Sequence, residues 1–111
     1  MLINKTEEGC IMIFSMTGRL DTMHFPMVDQ ELATLIGSGR KEVVIDCENM
    51  DYISSSGLRV LLKALKQMEA VKGRLTLAGL QPQIAQVFKI SGFDHLFEIY
   101  PGVKEAVASF S

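Results

Sequence analysis

Between Glu42 and Ala78 the spacing of apolar residues changes twice, and nothing else in the chain narrows the fold as much. Glu42 to Cys47 carries the unbroken run Val43-Val44-Ile45, the pattern of a strand buried on both faces. From Ser55 to Lys72 the apolar residues recur at helical spacing. Leu58, Leu61, Leu62, Leu65 and Met68 fall on one face, and Arg59, Lys63, Lys66 and Gln67 on the other. Gly73 is the expected left-handed residue that ends this helix. Leu75-Thr76-Leu77-Ala78 then reads as a strand again. A strand, an amphipathic helix and a second strand in this order describe a parallel pair joined by a crossover helix.

The flanking segments extend the pattern. Leu2 to Thr6 and Cys10 to Met16 read as two strands around a turn at Glu7-Glu8-Gly9, with Gly9 supplying a positive φ. Ile11-Met12-Ile13-Phe14 is apolar on both faces, which suits a central strand. Thr17-Gly18-Arg19-Leu20-Asp21 leads to a helix predicted from about Met23 to Ile36. Pro26 lies in its first turn, Val28, Leu32, Leu35 and Ile36 form its apolar stripe, and Gly37-Ser38-Gly39 ends it. Pro82 opens a short helix with Ile84, Val87 and Phe88 inward, closed by Gly92. Phe97 to Tyr100 reads as a last strand, and Pro101 starts a terminal helix bearing Val103, Ala106, Val107 and Phe110 on one face. The expected fold class is α/β, a mixed β-sheet with an N-terminal hairpin and helices packed on it, in one domain spanning residues 1–111.

At 48% hydrophobic the chain has ample material for a core. Its formal net charge is -2 with Lys and Arg scattered, so no direct nucleic-acid contact is expected. No apolar run approaches the ~20 residues of a membrane span. Met1-Leu2-Ile3-Asn4-Lys5 does not begin a signal peptide, and the expected location is the cytoplasm without membrane attachment. Cys10 and Cys47 belong to no CxxC pair and are expected to be buried, inert thiols. The methionines are expected mostly in the core, with Met23 and Met27, near Asp21, the exceptions of interest.

Ser54-Ser55-Ser56-Gly57 stands where the buried strand gives way to the long helix. With Ser54 as N-cap, its oxygen can accept from the amide of Ser56 or Gly57, and Ile53 and Leu58 occupy the positions of a hydrophobic staple. Ser55 then points outward from the first turn beside free amides and the positive end of the helix dipole. Gly57 permits close approach by another backbone. Capping alone explains one serine; three hydroxyls past the carboxyl end of a parallel strand also suit ligand binding or phosphorylation. Catalysis is not expected. There is no G-x-S-x-G elbow and no neighbouring base, and His24 and His95 are far apart in sequence. No metal-ligand spacing occurs, and no cofactor is expected.

At these residues the chain resembles STAS domains, specifically the bacterial anti-sigma-factor antagonists. Asp51-Tyr52-Ile53-Ser54-Ser55-Ser56-Gly57-Leu58 is similar to the family's aspartate, phosphorylatable serine, Ser or Thr, then Gly-Leu. Thr17-Gly18-Arg19-Leu20-Asp21, Gly73-Arg74-Leu75-Thr76-Leu77 and Val87-Phe88-Lys89-Ile90-Ser91-Gly92-Phe93 resemble three further family stretches in the same order.

The resemblance implies a non-enzymatic cycle. The unphosphorylated protein binds an anti-sigma factor that is also a serine kinase and so frees a sigma factor. Phosphorylation ends that binding, and a serine phosphatase restores it. It implies Ser55 as the phosphorylated residue, with Ser54 the alternative, and a partner surface of Asp21, Ser54, Ser55, Ser56, Gly57 and Arg59. Two positions depart from the family: Ser54 replaces the usual aspartate, and Arg19 stands where an acid is common. Asp21 matches, and it also reads simply as an N-terminal cap for the helix near Met23. The alternative function is a STAS-like interaction or small-ligand-sensing module that is never phosphorylated.

Overall fold

The computed structural model describes residues Met1–Ser111. Five strands, β1 (Leu2–Glu8), β2 (Ile11–Leu20), β3 (Glu42–Ile53), β4 (Arg74–Ala78) and β5 (Glu98–Tyr100), lie side by side in sequence order. β1 is antiparallel to β2; every later pair is parallel. The parallel pairs are joined by α1 (Phe25–Gly37), α2 (Ser55–Ala70) and α3 (Pro82–Ser91), and α4 (Val103–Ala108) ends the chain. The expected mixed sheet with an N-terminal hairpin is therefore the fold.

Crossovers that all advance in one direction with the same hand put their helices on one face of the sheet. The packing agrees. The larger core cluster joins Val28 and Leu32 of α1, Leu61 and Met68 of α2, and Ile84 and Phe88 of α3 to Phe14, Met16, Val43 and Ile45 of the sheet. The opposite face has only α4, whose Ala106 packs with Ile11, Ile13, Val44 and Ala78. The two faces together explain why Ile11-Met12-Ile13-Phe14 is apolar throughout: every one of these side chains is buried.

Several boundaries move. β2 runs through Thr17-Gly18-Arg19-Leu20 and β3 runs on to Ile53, so both central strands are longer than their apolar runs. Their pairing carries register shifts at Ser15/Thr17 and Gly18/Arg19. At each shift the ladder is locally interrupted and the strand bends. α1 starts two residues later than expected, and a 3-10 turn at Phe93–His95, unforeseen from the sequence, precedes β5.

Two expectations are corrected. The left-handed residue that ends α2 is Lys72, at φ 60°, not Gly73. Gly73 is required for space instead: a Cβ there would collide with Met68 Sδ and stand 2.9 Å from the Lys41 carbonyl. Cys47 is buried as expected, but Cys10 is exposed, because the hairpin turn takes it out of the strand.

Candidate functional site

The carboxyl ends of β2 and β3 lie side by side, with Leu20 opposite Ile53, and the next residues of both strands build one surface. Ser54 is the N-cap of α2. It is extended, and its oxygen accepts from the Gly57 amide at 3.1 Å. The same hydroxyl donates to the Leu20 carbonyl at 3.3 Å, and the Ser54 amide reaches that carbonyl at 2.9 Å. Helix α2 is thus tied to the end of β2 through a single residue. Gly57 allows the approach: a Cβ there would lie 2.8 Å from both Leu20 Cγ and the Leu20 carbonyl oxygen. Ile53 and Leu58, the staple pair, are both buried.

Ser55 follows as the first helical residue and is exposed, and its hydroxyl makes no hydrogen bond to the protein. Ser56 is half-buried and borders a small groove with Phe25, Asp29 and Arg59. The Ser54 hydroxyl is engaged twice; those of Ser55 and Ser56 make no hydrogen bond, and Ser55 is the more exposed of the two. The Ser55 hydroxyl stands beside the free amides of the first turn.

Asp21 begins the segment from β2 to α1. Its carboxylate accepts from the amides of Met23 and His24 and lies 2.8 Å from His24 Nδ1. Desolvation is the largest single influence and works to raise its pKa, but the His24 backbone hydrogen bond and the other contacts together outweigh it and hold the carboxyl below its ordinary value. Asp21 is neither the N-cap nor a first-turn acid of α1, as the cap reading expected: the N-cap is His24, without a side-chain bond, and the Asp21 carboxylate instead holds the amides of the turn that precedes the helix. Met23 is 81% exposed and Met27 40%, so both present apolar surface beside Asp21. Met12, Met16, Met50 and Met68 are core residues.

The sequence carries no signal that pairs Arg19 with Tyr52. The Arg19 guanidinium lies 4.0 Å from the centroid of the Tyr52 ring, and its Nε is 3.7 Å from Asp21 Oδ2. The pair is opposed across β2 and β3 only because of the register shift at Gly18/Arg19, which the sequence does not advertise. Lys63 and Asp29, which join α2 to α1 at 3.1 Å, were likewise missed. Arg59 is exposed one turn beyond Ser55. The structure therefore gathers Asp21, Ser54, Ser55, Ser56, Gly57 and Arg59 at one end of the sheet, with Gly57 buried beneath the others. His95 is remote from this surface in the fold, beside Asp94 in the 3-10 turn.

The most voluminous cleft, about 500 Å³, lies at the other end of the sheet, between the β1–β2 turn and the loop before β3. No group of His, Cys, Asp and Glu side chains could hold a metal ion. No helix is long and apolar enough to cross a membrane.

A family model described as STAS domain matches residues 2–106. Among curated proteins, the chain is 37% identical over 100 residues to BtrV of Bordetella bronchiseptica, named as a candidate anti-sigma factor antagonist, covering 90% of this chain and 86% of that one. It is 25% identical over 87 residues to the anti-sigma-B factor antagonist of Staphylococcus aureus, covering 78% of this chain and 81% of that one. Among solved structures, the anti-sigma factor antagonist SpoIIAA superposes in its unphosphorylated form with a TM-score of 0.85 at 22% identity, covering 98% of this chain and 96% of that one. The Bacillus cell fate determinant SpoIIAA in its phosphorylated form gives 0.78 at 21% identity, covering 99% of this chain and 100% of that one.

Proposed function

The chain belongs to the STAS domain family, and on that premise we propose that it is an anti-sigma factor antagonist switched by phosphorylation of Ser55. Unmodified, it binds an anti-sigma factor that is also a serine kinase. That kinase transfers the γ-phosphoryl group of ATP to Ser55 Oγ; the hydroxyl proton leaves, ADP is released, and the complex dissociates. A serine phosphatase hydrolyses the ester and returns the binding form. The names of the relatives support the antagonist role. The observation that carries the switch is the exposed, unengaged Ser55 hydroxyl on the first residue of α2.

Ser54, the alternative acceptor, is a poorer substrate. Its oxygen is half-buried and already donates to Leu20 and accepts from Gly57, so modifying it would break the cap. A phosphate on Ser55 displaces nothing. It adds ~1.5–2 negative charges, and the helix dipole stabilises it by about 0.3–1 kcal/mol. The fold survives, and the cost falls on the complex. An ion buried without compensation in an interface costs several kcal/mol; a penalty of ~3 kcal/mol weakens binding roughly a hundredfold. Asp21, Ser55, Ser56 and Arg59 supply the partner surface, while Ser54 and Gly57 hold it in place.

The test is incubation with a kinase-type anti-sigma factor and ATP, followed by mass spectrometry and binding measurements. Phosphate on Ser55 with a hundredfold loss of affinity supports the reading. Binding without any modification assigns the chain instead to the unphosphorylated interaction modules.

A further inference from the structure

The outer face of α2 carries cations that the chain's negative net charge hides. At 100° per residue, Ser55, Arg59 and Lys66 fall within about 40° of one another around the helix. Lys63 flanks them but is held by Asp29 at 3.1 and 3.2 Å. Lys5, Arg19, Arg40 and Arg74 also have acidic partners. Arg59 and Lys66 are exposed and form no ion pair; Lys41, Lys72, Lys89 and Lys104 are likewise exposed and unpaired but lie off this face. Two shallow grooves meet along this face, one reaching Ser56 and the other running to Ala70, and both are bordered by Arg59 and Lys63. Leu62 and Ala70 give the second an apolar component between its charges.

Resting on the antagonist reading above, we propose that an acidic segment of the partner protein docks on this face, with carboxylates on Arg59 and Lys66, and that a phosphate on Ser55 ejects it by capturing Arg59. Residues four apart on a helix are neighbours, and an acidic group N-terminal to a cation is the favourable order. The guanidinium fork matches a phosphate bidentately. One modification therefore repels the partner's acid and removes the cation that held it.

The stripe is too small for the alternatives. Lipid-binding clusters hold about 4–8 cations, and duplex DNA binding neutralises roughly 6–10 phosphates. Here Arg59 and Lys66 are unpaired, and Glu69 is exposed on the same helix.

The probe is the anti-sigma factor identified in the kinase assay. Its binding to the full chain is measured against salt for wild type, Arg59→Glu, Lys66→Glu and, off the stripe, Lys104→Glu. The first two variants are expected to weaken binding about tenfold or more each and to flatten the salt dependence, while Lys104→Glu changes neither. Lysine at the contacted acid of the anti-sigma factor is expected to restore binding to Arg59→Glu. Equal binding by all four proteins overturns the docking surface and leaves the antagonist reading standing. Retention of phosphatidylserine vesicles or duplex DNA by the stripe, without the anti-sigma factor, overturns both. The capture step is read separately by phosphorus NMR on protein with phosphoserine incorporated at residue 55. The second pKa of the phosphate is expected at least about 0.2 units lower with Arg59 than in Arg59→Gln; equal values overturn the capture.

Discussion

The Ser54 hydroxyl donates to the carbonyl of Leu20 at 3.3 Å while it accepts from the Gly57 amide. Only a group with both a proton and a lone pair can do this, and aspartate, ionised, has no proton to give. Ser54→Ala should destabilise the protein by about 1 kcal/mol through loss of the cap. Ser54→Asp should keep the cap but set a carboxylate near the Leu20 carbonyl, and so bring no gain in stability despite its favourable charge at a helix N-terminus. Urea denaturation of the three proteins checks both outcomes; a clear gain for Ser54→Asp contradicts the second.

Lys72 and Gly73 hold each other's expected places. Lysine pays for a left-handed φ that glycine would adopt freely, about 1 kcal/mol. Lys72→Gly should therefore raise the stability of the folded protein, less the greater freedom glycine gives the unfolded chain. Gly73→Ala should lower it by ~1–3 kcal/mol, because the Lys41 backbone cannot retreat as a side chain can. Paired thermal melts give the signs.

The two thiols should separate cleanly by reactivity. Burial, followed by the charge of Asp46, pushes the Cys47 pKa up to about 12, so this thiol is neutral and sealed in the folded protein. Cys10 is exposed on the hairpin turn. Alkylation at pH 8 should label Cys10 alone, and Cys47 only after denaturant is added. Peptide mapping reads the result, and labelling of Cys47 in the native protein would contradict it.

Acid should weaken one contact selectively. Hydrogen bonding from Arg74 holds the Glu98 carboxyl below its ordinary value of 4.5, against the opposing effect of burial. A depressed carboxylate stabilises the fold fully above its unfolded pKa and loses that contribution as pH falls through the folded value. Glu98→Gln should thus be slightly less stable than wild type at neutral pH and equal to it in strong acid. The gap is small because the pair is half-exposed. Stability curves for both proteins from pH 7 to pH 2 test this.

Arg74 also bonds the Ser109 carbonyl and hydroxyl and lies 4.4 Å from the Phe110 ring centroid. It thereby anchors the C-terminal segment that covers the second face of the sheet. The apolar residues of that segment were legible as a helical stripe. Their anchor was not, because it joins residues distant in sequence.

Strand and helix order, the apolar stripe of α1 and the serine cap of α2 could all be read from the chain, because each depends on periodicity or on a contact within four residues. The capping serine and an outward Ser55 followed from one turn of helix; that Gly57 is approached by Leu20 did not. Cys10 was misjudged because its exposure depends on where the hairpin turn falls, and Lys72 because helix termination is a balance of conformational cost against packing. The stacking of Arg19 on Tyr52, the bond from Ser54 to Leu20 and the ion pair of Lys63 with Asp29 all cross between elements. Local patterning dictates which segments become strands and helices; the register shift between β2 and β3 and the docking of α1 against α2 dictate which side chains meet. Those alignments are chosen by the packing of the whole core, a sum over contacts that no short stretch of sequence contains.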